Sequence, residues 1–322
     1  MAEQRTFADL AWDGKKKVTR REQFLAEMDR VIPWPQLLKQ IAPHYPAPER
    51  GRPAMPLERM LRIYFCQQWF DLSDPAAEDA LYDSESIRRF VGIDLASDAV
   101  PDESTILRFR HLLEEHELTR ALFLKVAELL AQKGVMLKRG TIVDATILHA
   151  PSSTKNATKT RDPEMRQTRK GNQWYFGMKV HIGTDLNGLT HSLTTTHAAA
   201  ADLPQLPVLL SGDETVVYGD SAYWCAAHRE LYQRELGIQY RMNRRSGGKS
   251  ALTARERQIN TARSRHRARV EHAFHVVKRL WGFAKVRYRG LAKNTARAYT
   301  SFALANLYLA RNKLRLGWAT CL

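Results

Sequence analysis

The sequence is short of three things. It has only three cysteines in 322 residues, Cys66, Cys225 and Cys321, and no CxxC pair. That excludes a disulfide framework and a cysteine-zinc cluster and suits a reducing compartment. It has no long apolar run: the opening MAEQRTFADLAWDGKKK lacks a signal-like core, and residues 301–310, the most apolar late stretch, are too few and too mixed to span a bilayer. A cytoplasmic chain without a membrane is expected. It is also short of acid, with 34 Asp and Glu against 50 Lys and Arg, a formal charge of +16 that points to a polyanionic partner. What remains is ordinary for a globular protein, 44% hydrophobic and 26% charged, which argues against disorder. The length suits two structural units or one enlarged α/β domain.

The positive charge is focused. Residues 241–289 hold fifteen Lys and Arg but only two acids, Glu256 and Glu271, a net +13 of the chain's +16. A merely solvated face explains so dense a segment poorly, and phosphate contact explains it better.

Up to about Gly134 the apolar residues recur at helical spacing. Leu57, Met60, Leu61, Tyr64 and Phe65 make one buried stripe behind Pro56, a natural start position. Further helices are predicted after Asp102 or Ser104 as cap, and over residues 118–133 before Gly134. These helices can form either a helix-turn-helix reading DNA or a dimerising bundle. The period changes at GTIVDATI, a β-branched run apolar on both faces, as in a central strand, with Asp144 in its middle. Residues 151–173 have almost no apolar side chains and read as a long polar loop. A hairpin through Asn187-Gly188 is predicted next, with Lys179 and His181 on one face, either a solvated face or a phosphate contact. Trp174 and Tyr175 can stack on an unpaired base, though hairpin aromatics are more commonly core. Asp202 reads as a helix cap, TVVYGD as a strand ending at Asp220, residues 226–236 as a helix and IQYRM as a short strand. In ARVEHAFHVVKRLWG the residues Val270, Phe274, Val277 and Trp281 form a core stripe with Glu271 one position off it, and a last helix is expected over residues 295–314.

The chemistry rests on three acids. A carboxylate in a doubly covered strand needs a cation or hydrogen bonds, because burying it alone costs several kcal/mol. If the strands of Asp144 and Asp220 lie side by side, their carboxylates converge, and Glu271 can join them from a helix across the sheet edge. On a continuous helix Arg267 and Lys278 fall within about 40° of Glu271. Three close carboxylates repel unless divalent cations hold them, and an all-oxygen donor set suits Mg²⁺ or Mn²⁺. Each acid alone has a structural reading; Glu271, for example, can pair on its helix with Arg267 or His275.

These segments, TIVDATI, VVYGDSAY and RARVEHAFHVVK, resemble the DDE triad of bacterial insertion-sequence transposases, especially the insertion-sequence family five type. Arg267, Glu271 and Lys278 match the tail of that group's signature, whereas the tyrosine expected ahead of the arginine is Ser264 here. The resemblance extends to PDESTILRFRHLL, PSSTKN with RDPEM, GNQWYFGMKVHIG and NLYLAR, and so covers the chain from about Pro56 onward. It implies an α/β fold: an all-helical N-terminal region over residues 1–136, for DNA-end binding or dimerisation, then a mixed-sheet ribonuclease H-like catalytic domain over residues 137–322. It further implies a transposase that cleaves transposon ends and joins them to target DNA by two-metal phosphoryl transfer. Asp144, Asp220 and Glu271 would be both catalytic residues and metal ligands, for Mg²⁺ with Mn²⁺ as substitute. DNA contacts fall to Arg267, Lys278, Lys179, Arg263, Arg265 and Arg269. The partners would be double-stranded DNA, with terminal inverted repeats and target, and a second copy in a homodimer on the nucleoid. A catalytically idle DNA-binding descendant and a stand-alone nuclease of the same fold are the alternatives.

Overall fold

The computed structural model describes residues 12, 14–46, 54–137, 139–155, 159–245 and 251–314. Seven helices lead among them: α1 Arg20–Val31, α2 Trp34–Ile41, α3 Leu57–Trp69, α4 Asp74–Asp83, α5 Glu85–Val91, α6 Glu103–Glu115 and α7 Leu118–Gln132. Their starts are chemically marked. Thr19 and Glu22 form a reciprocal capping box on α1, and the Asp102 carboxylate accepts the Thr105 N–H at 2.7 Å on α6. Nine residues of α3 are buried, four of the five predicted for its stripe and five beyond it, because the neighbouring helices and the C-terminal helix Leu291–Leu314 surround it on several sides. Edge-on aromatic pairs such as Phe24–Trp69 and Trp69–Phe90 fill the space between α1, α3 and α5.

The sheet comprises β1 Gly140–His149, β2 Arg166–Lys170, β3 Gln173–Thr184, β4 Thr190–His197, β5 Val216–Gly219 and β6 Gln239–Met242. β3 runs antiparallel to β1, and both β2 and β4 pair with the far side of β3; β5 and β6 follow on the other side of β1, parallel to it. TIVDATI is therefore the central strand that its composition predicts. This mixed sheet behind a helical region is a ribonuclease H-like core. The polar loop expected over 151–173 is corrected in part: residues 166–170 form β2, a strand unmarked by apolar residues because four of its five side chains are exposed. The hairpin between β3 and β4 turns at Gly188 (φ 86) as predicted, organised by the Asp185 carboxylate, which accepts the N–H groups of Asn187 and Leu189.

The short α8 Leu206–Leu209 precedes β5, and α9 Ala226–Glu230, α10 Ala254–Arg267, α11 Val270–His275 and α12 Leu291–Leu314 follow it. One sheet face, around Val143, Val217 and Met242, is covered by Leu206, Leu209, Tyr223 and Tyr232. The other is covered by α11 and α12, whose apolar residues belong to one continuous core with those of the N-terminal helices. α12 starts four residues earlier than expected and holds both regions: Asn306 exchanges two 2.7 Å hydrogen bonds with the Thr190 backbone, while Arg297 reaches Asp71 at 2.6 Å. No helix among the described residues is long and apolar enough to cross a membrane.

Candidate active site

The parallel register of β1 and β5 pairs Gly140 with Val216, Thr141 with Val217 and Ile142 with Tyr218. Carried two residues further, the same offset sets Asp144 beside Asp220, on one face of neighbouring strands about 4.8 Å apart. Gly219 permits this closeness from behind: a Cβ there would stand 2.5 Å from Met242 Sδ and 2.9 Å from Val143 Cγ2. Asp220 leaves the strand as the cap of a short turn, its carboxylate accepting the Ala222 N–H at 2.8 Å.

Asp144 is poorly compensated. Its side chain is 17% exposed, accepts the Ala145 N–H at 2.8 Å, and meets the Arg267 guanidinium only at 3.4 Å. Its carboxyl is raised to about 6, first by burial; Arg267 and the Ala145 N–H act against that rise, and the negative charges of Asp220 and Glu271 add to it. Both other acids thus lie within electrostatic reach of Asp144.

Glu271 is exposed on α11, whose buried Val270 and Ala273 fix the helix against the core. The continuous helix assumed from the sequence is corrected. A turn at Ala268–Arg269 separates α10 from α11, and residues 276–280 widen into a π-turn. Even so, cations from both sides of these breaks reach the strand: Arg267 at Asp144, and Lys278, whose Nζ donates to Thr146 Oγ1 at 2.8 Å and Ile147 O at 2.9 Å. Burial, then the charges of Lys170 and Arg279, lower the Lys278 ammonium.

Among the described residues no three His, Cys, Asp or Glu side chains are drawn together tightly enough to form a finished metal cage. The donor chemistry nevertheless fits a hard divalent cation. Two carboxylates side by side, a third within reach and an Asp144 carboxyl short of positive charge are what an oxygen-preferring ion would relieve.

The remaining candidate DNA contacts are dispersed. Arg263 donates to Met242 O at 2.5 Å, Arg269 donates to Leu186 O in the β3–β4 turn, and Arg265 is exposed. Lys179 is held in an ion pair with Asp202 at 2.9 Å and donates to Ala200 O at 2.7 Å. His181, beside it, is fully buried, bonds Thr196 Oγ1 at 2.8 Å, and is lowered to about 4, first by burial. So the predicted Lys179–His181 face is not a solvated one, and Asp202 serves this pair rather than a cap. Ser264, where the tyrosine was expected, accepts from Asn243 Nδ2 at 3.0 Å and so ties α10 to the end of β6.

Sequence reasoning missed Tyr223. Its buried hydroxyl has no hydrogen-bond partner, and burial with the charges of Asp202, Asp144 and Asp220 holds its phenol far above the usual range. The signal was its place three residues after Asp220.

Residues 136–307, more than half of the chain, match the family described as "Transposase DDE domain", and residues 13–112 match the one described as "Transposase domain (DUF772)". The second covers most of the N-terminal helices and the first the sheet with the helices around it. Paired acids on adjacent inner strands, flanked by cations, in a chain matched over both regions, thus lead to one assignment: this chain belongs to the DDE transposases, enzymes that cut and move DNA.

Proposed function

We propose that the protein cleaves the ends of an insertion sequence of the family five type and joins them to target DNA, with Asp144, Asp220 and Glu271 as its catalytic acids. The register that sets Asp144 against Asp220, with Asp144 left short of positive charge, carries this reading. The three carboxylates would hold Mg²⁺, or Mn²⁺ in its place. Such ions, when bound, supply Lewis-acid polarisation of a phosphodiester and make water or a 3′-hydroxyl a competent nucleophile.

The chain's own residues do the rest. Arg267 sits loosely against Asp144, with its Nε buried and unpartnered, so its guanidinium can pass from that carboxylate to a phosphate oxygen. Lys278, fixed on β1 one pleat beyond Asp144, adds a positive charge where the leaving oxygen becomes negative. α10 has no buried residue, and with exposed Arg255, Arg257 and Arg265 it offers the duplex a sequence-independent phosphate track. Two ends must be processed together, so the working form is a homodimer on terminal repeats and target.

Incubation of the protein with labelled end DNA and Mg²⁺ or Mn²⁺ is the test. Nicked and then joined products support transposition; nicks without joining favour the stand-alone nuclease, and binding without nicks the idle descendant.

A further inference from the structure

The ribbon of β2 and the first half of β3 takes no part in the site above, yet it exposes an unusual set of side chains. Trp174 is 59% exposed, although tryptophan ordinarily buries most of its large surface. Its cross-strand partner is Arg169, and β2 as a whole, RQTRK, has three cations, no acid and no apolar residue. Phe176 and Tyr175 anchor the base of the ribbon to the core and to His149, but its tip, with Trp174 and the β2 cations, is exposed, and a two-stranded ribbon is marginal in water on its own. A partner that is anionic and offers flat apolar surfaces would complement both features.

Alternation along β3 puts Trp174, Phe176, Met178, Val180 and Ile182 on one face, and Ile182 is the register partner of Asp144. Trp174 therefore shares the sheet face of the acids. Eight residues separate it from Ile182, a contour of at most about 27 Å. The ribbon lies across the end of β1 at Gly177, where a Cβ would stand 2.0 Å from Leu148 O, so only glycine allows the crossing. At the tip, Lys170 lies close enough to Lys278 for its charge to weigh on that ammonium. Arg169 is pre-ordered there by donating to Gly171 O at 3.0 Å and Asn172 Oδ1 at 3.2 Å.

We infer that the β2–β3 ribbon is a DNA-gripping arm: Trp174 and Arg169 enter a groove, and Arg166 and Lys170 meet phosphates, within about eight base pairs of the phosphate held at the acids. The figure is the 27 Å contour divided by the rise of roughly 3.4 Å per base pair, and the major groove, about 12 Å wide, admits a two-stranded ribbon. A second copy of the chain is the poorer occupant, because one tryptophan among like charges is no apolar patch. The inference rests on the transposase reading, which supplies the DNA at the acids.

Hydroxyl-radical footprinting of end DNA by the full chain, without divalent cation, tests it, using wild type, Trp174→Ala and a triple Arg166→Ala, Arg169→Ala, Lys170→Ala variant. Wild type should protect a patch within about eight base pairs of the cleavage position, and both variants should lose that patch while keeping protection nearer the cut. The triple variant should bind at least tenfold more weakly at 150 mM salt, with a log K against log salt slope shallower by about 2, given roughly 0.9 for each of the two phosphate contacts. An unchanged patch, or an unchanged slope, overturns the inference; so does a variant that loses self-association with DNA binding intact. If wild type ignores end DNA, the transposase reading fails, and the slope on a random duplex still judges the ribbon.

Discussion

The start and the middle of β1 treat a carboxylate in opposite ways. Near its start, Glu214 accepts from Thr141 Oγ1 at 2.8 Å, Ser211 Oγ at 2.9 Å, Gly212 N at 2.8 Å and the Ser211 N–H. Although burial raises it, those hydrogen bonds bring its carboxyl below the ordinary range. Asp144, three residues beyond Thr141, has one N–H, a distant guanidinium and two like-charged neighbours, and its carboxyl rises to about 6. A structural acid is saturated by its own chain; an acid kept for an incoming ion is left unsaturated. The same strand shows both outcomes.

The largest test of that contrast is catalytic. Asp144→Asn, Asp220→Asn and Glu271→Gln should each slow single-turnover end cleavage by at least about 10³-fold, with DNA affinity within a few-fold by gel shift; a variant that still cuts removes its residue from the site. Next, Glu214→Ala should lower unfolding free energy in urea by about 2–4 kcal/mol, because buried donors lose their acceptor; an unchanged midpoint would erase the distinction between the two acids.

The pH responses should then diverge. His191, bonded to Thr141 at 3.0 Å, is lowered to about 4, chiefly by burial. Its folded value lies below the ordinary 6.5, so its contribution is present above pH 6.5 and is lost as pH falls toward 4. His191→Asn should flatten that loss by about 1–2 kcal/mol in urea titrations at successive pH values. Asp144 has the opposite sign: its folded value lies above the ordinary 3.8, so the penalty of ionising it is full above about pH 6 and fades toward pH 4. Asp144→Asn should therefore stabilise the metal-free protein by roughly 1 kcal/mol at pH 8 and by nothing at pH 4. Mn²⁺ should raise the Tm of wild type more at pH 8 than at pH 5; an equal rise would count against Asp144 as a ligand.

Much of this was legible beforehand where local chemistry decides. Asp102 announces α6, Pro56 precedes α3, and the β-branched run around Asp144 marks the central strand. The convergence of Asp144 and Asp220 was legible only conditionally, because strand pairing is non-local and a register can be read only once the strands have met. β2 was illegible, since an exposed strand with no apolar residue carries no apolar alternation. Asp202 misled for another reason: an acid before a proline-containing turn looks like a cap, whereas a half-buried Lys179 twenty-three residues upstream claims it.

α12 leaves its mark on how the molecule comes into being. It packs against α1, α3 and α7 and against β4 and α11, yet the ribosome makes it after every other described element. Neither the helical region nor the sheet can close its interior during translation until those last turns emerge, so the nascent chain should mature as a single late event rather than region by region.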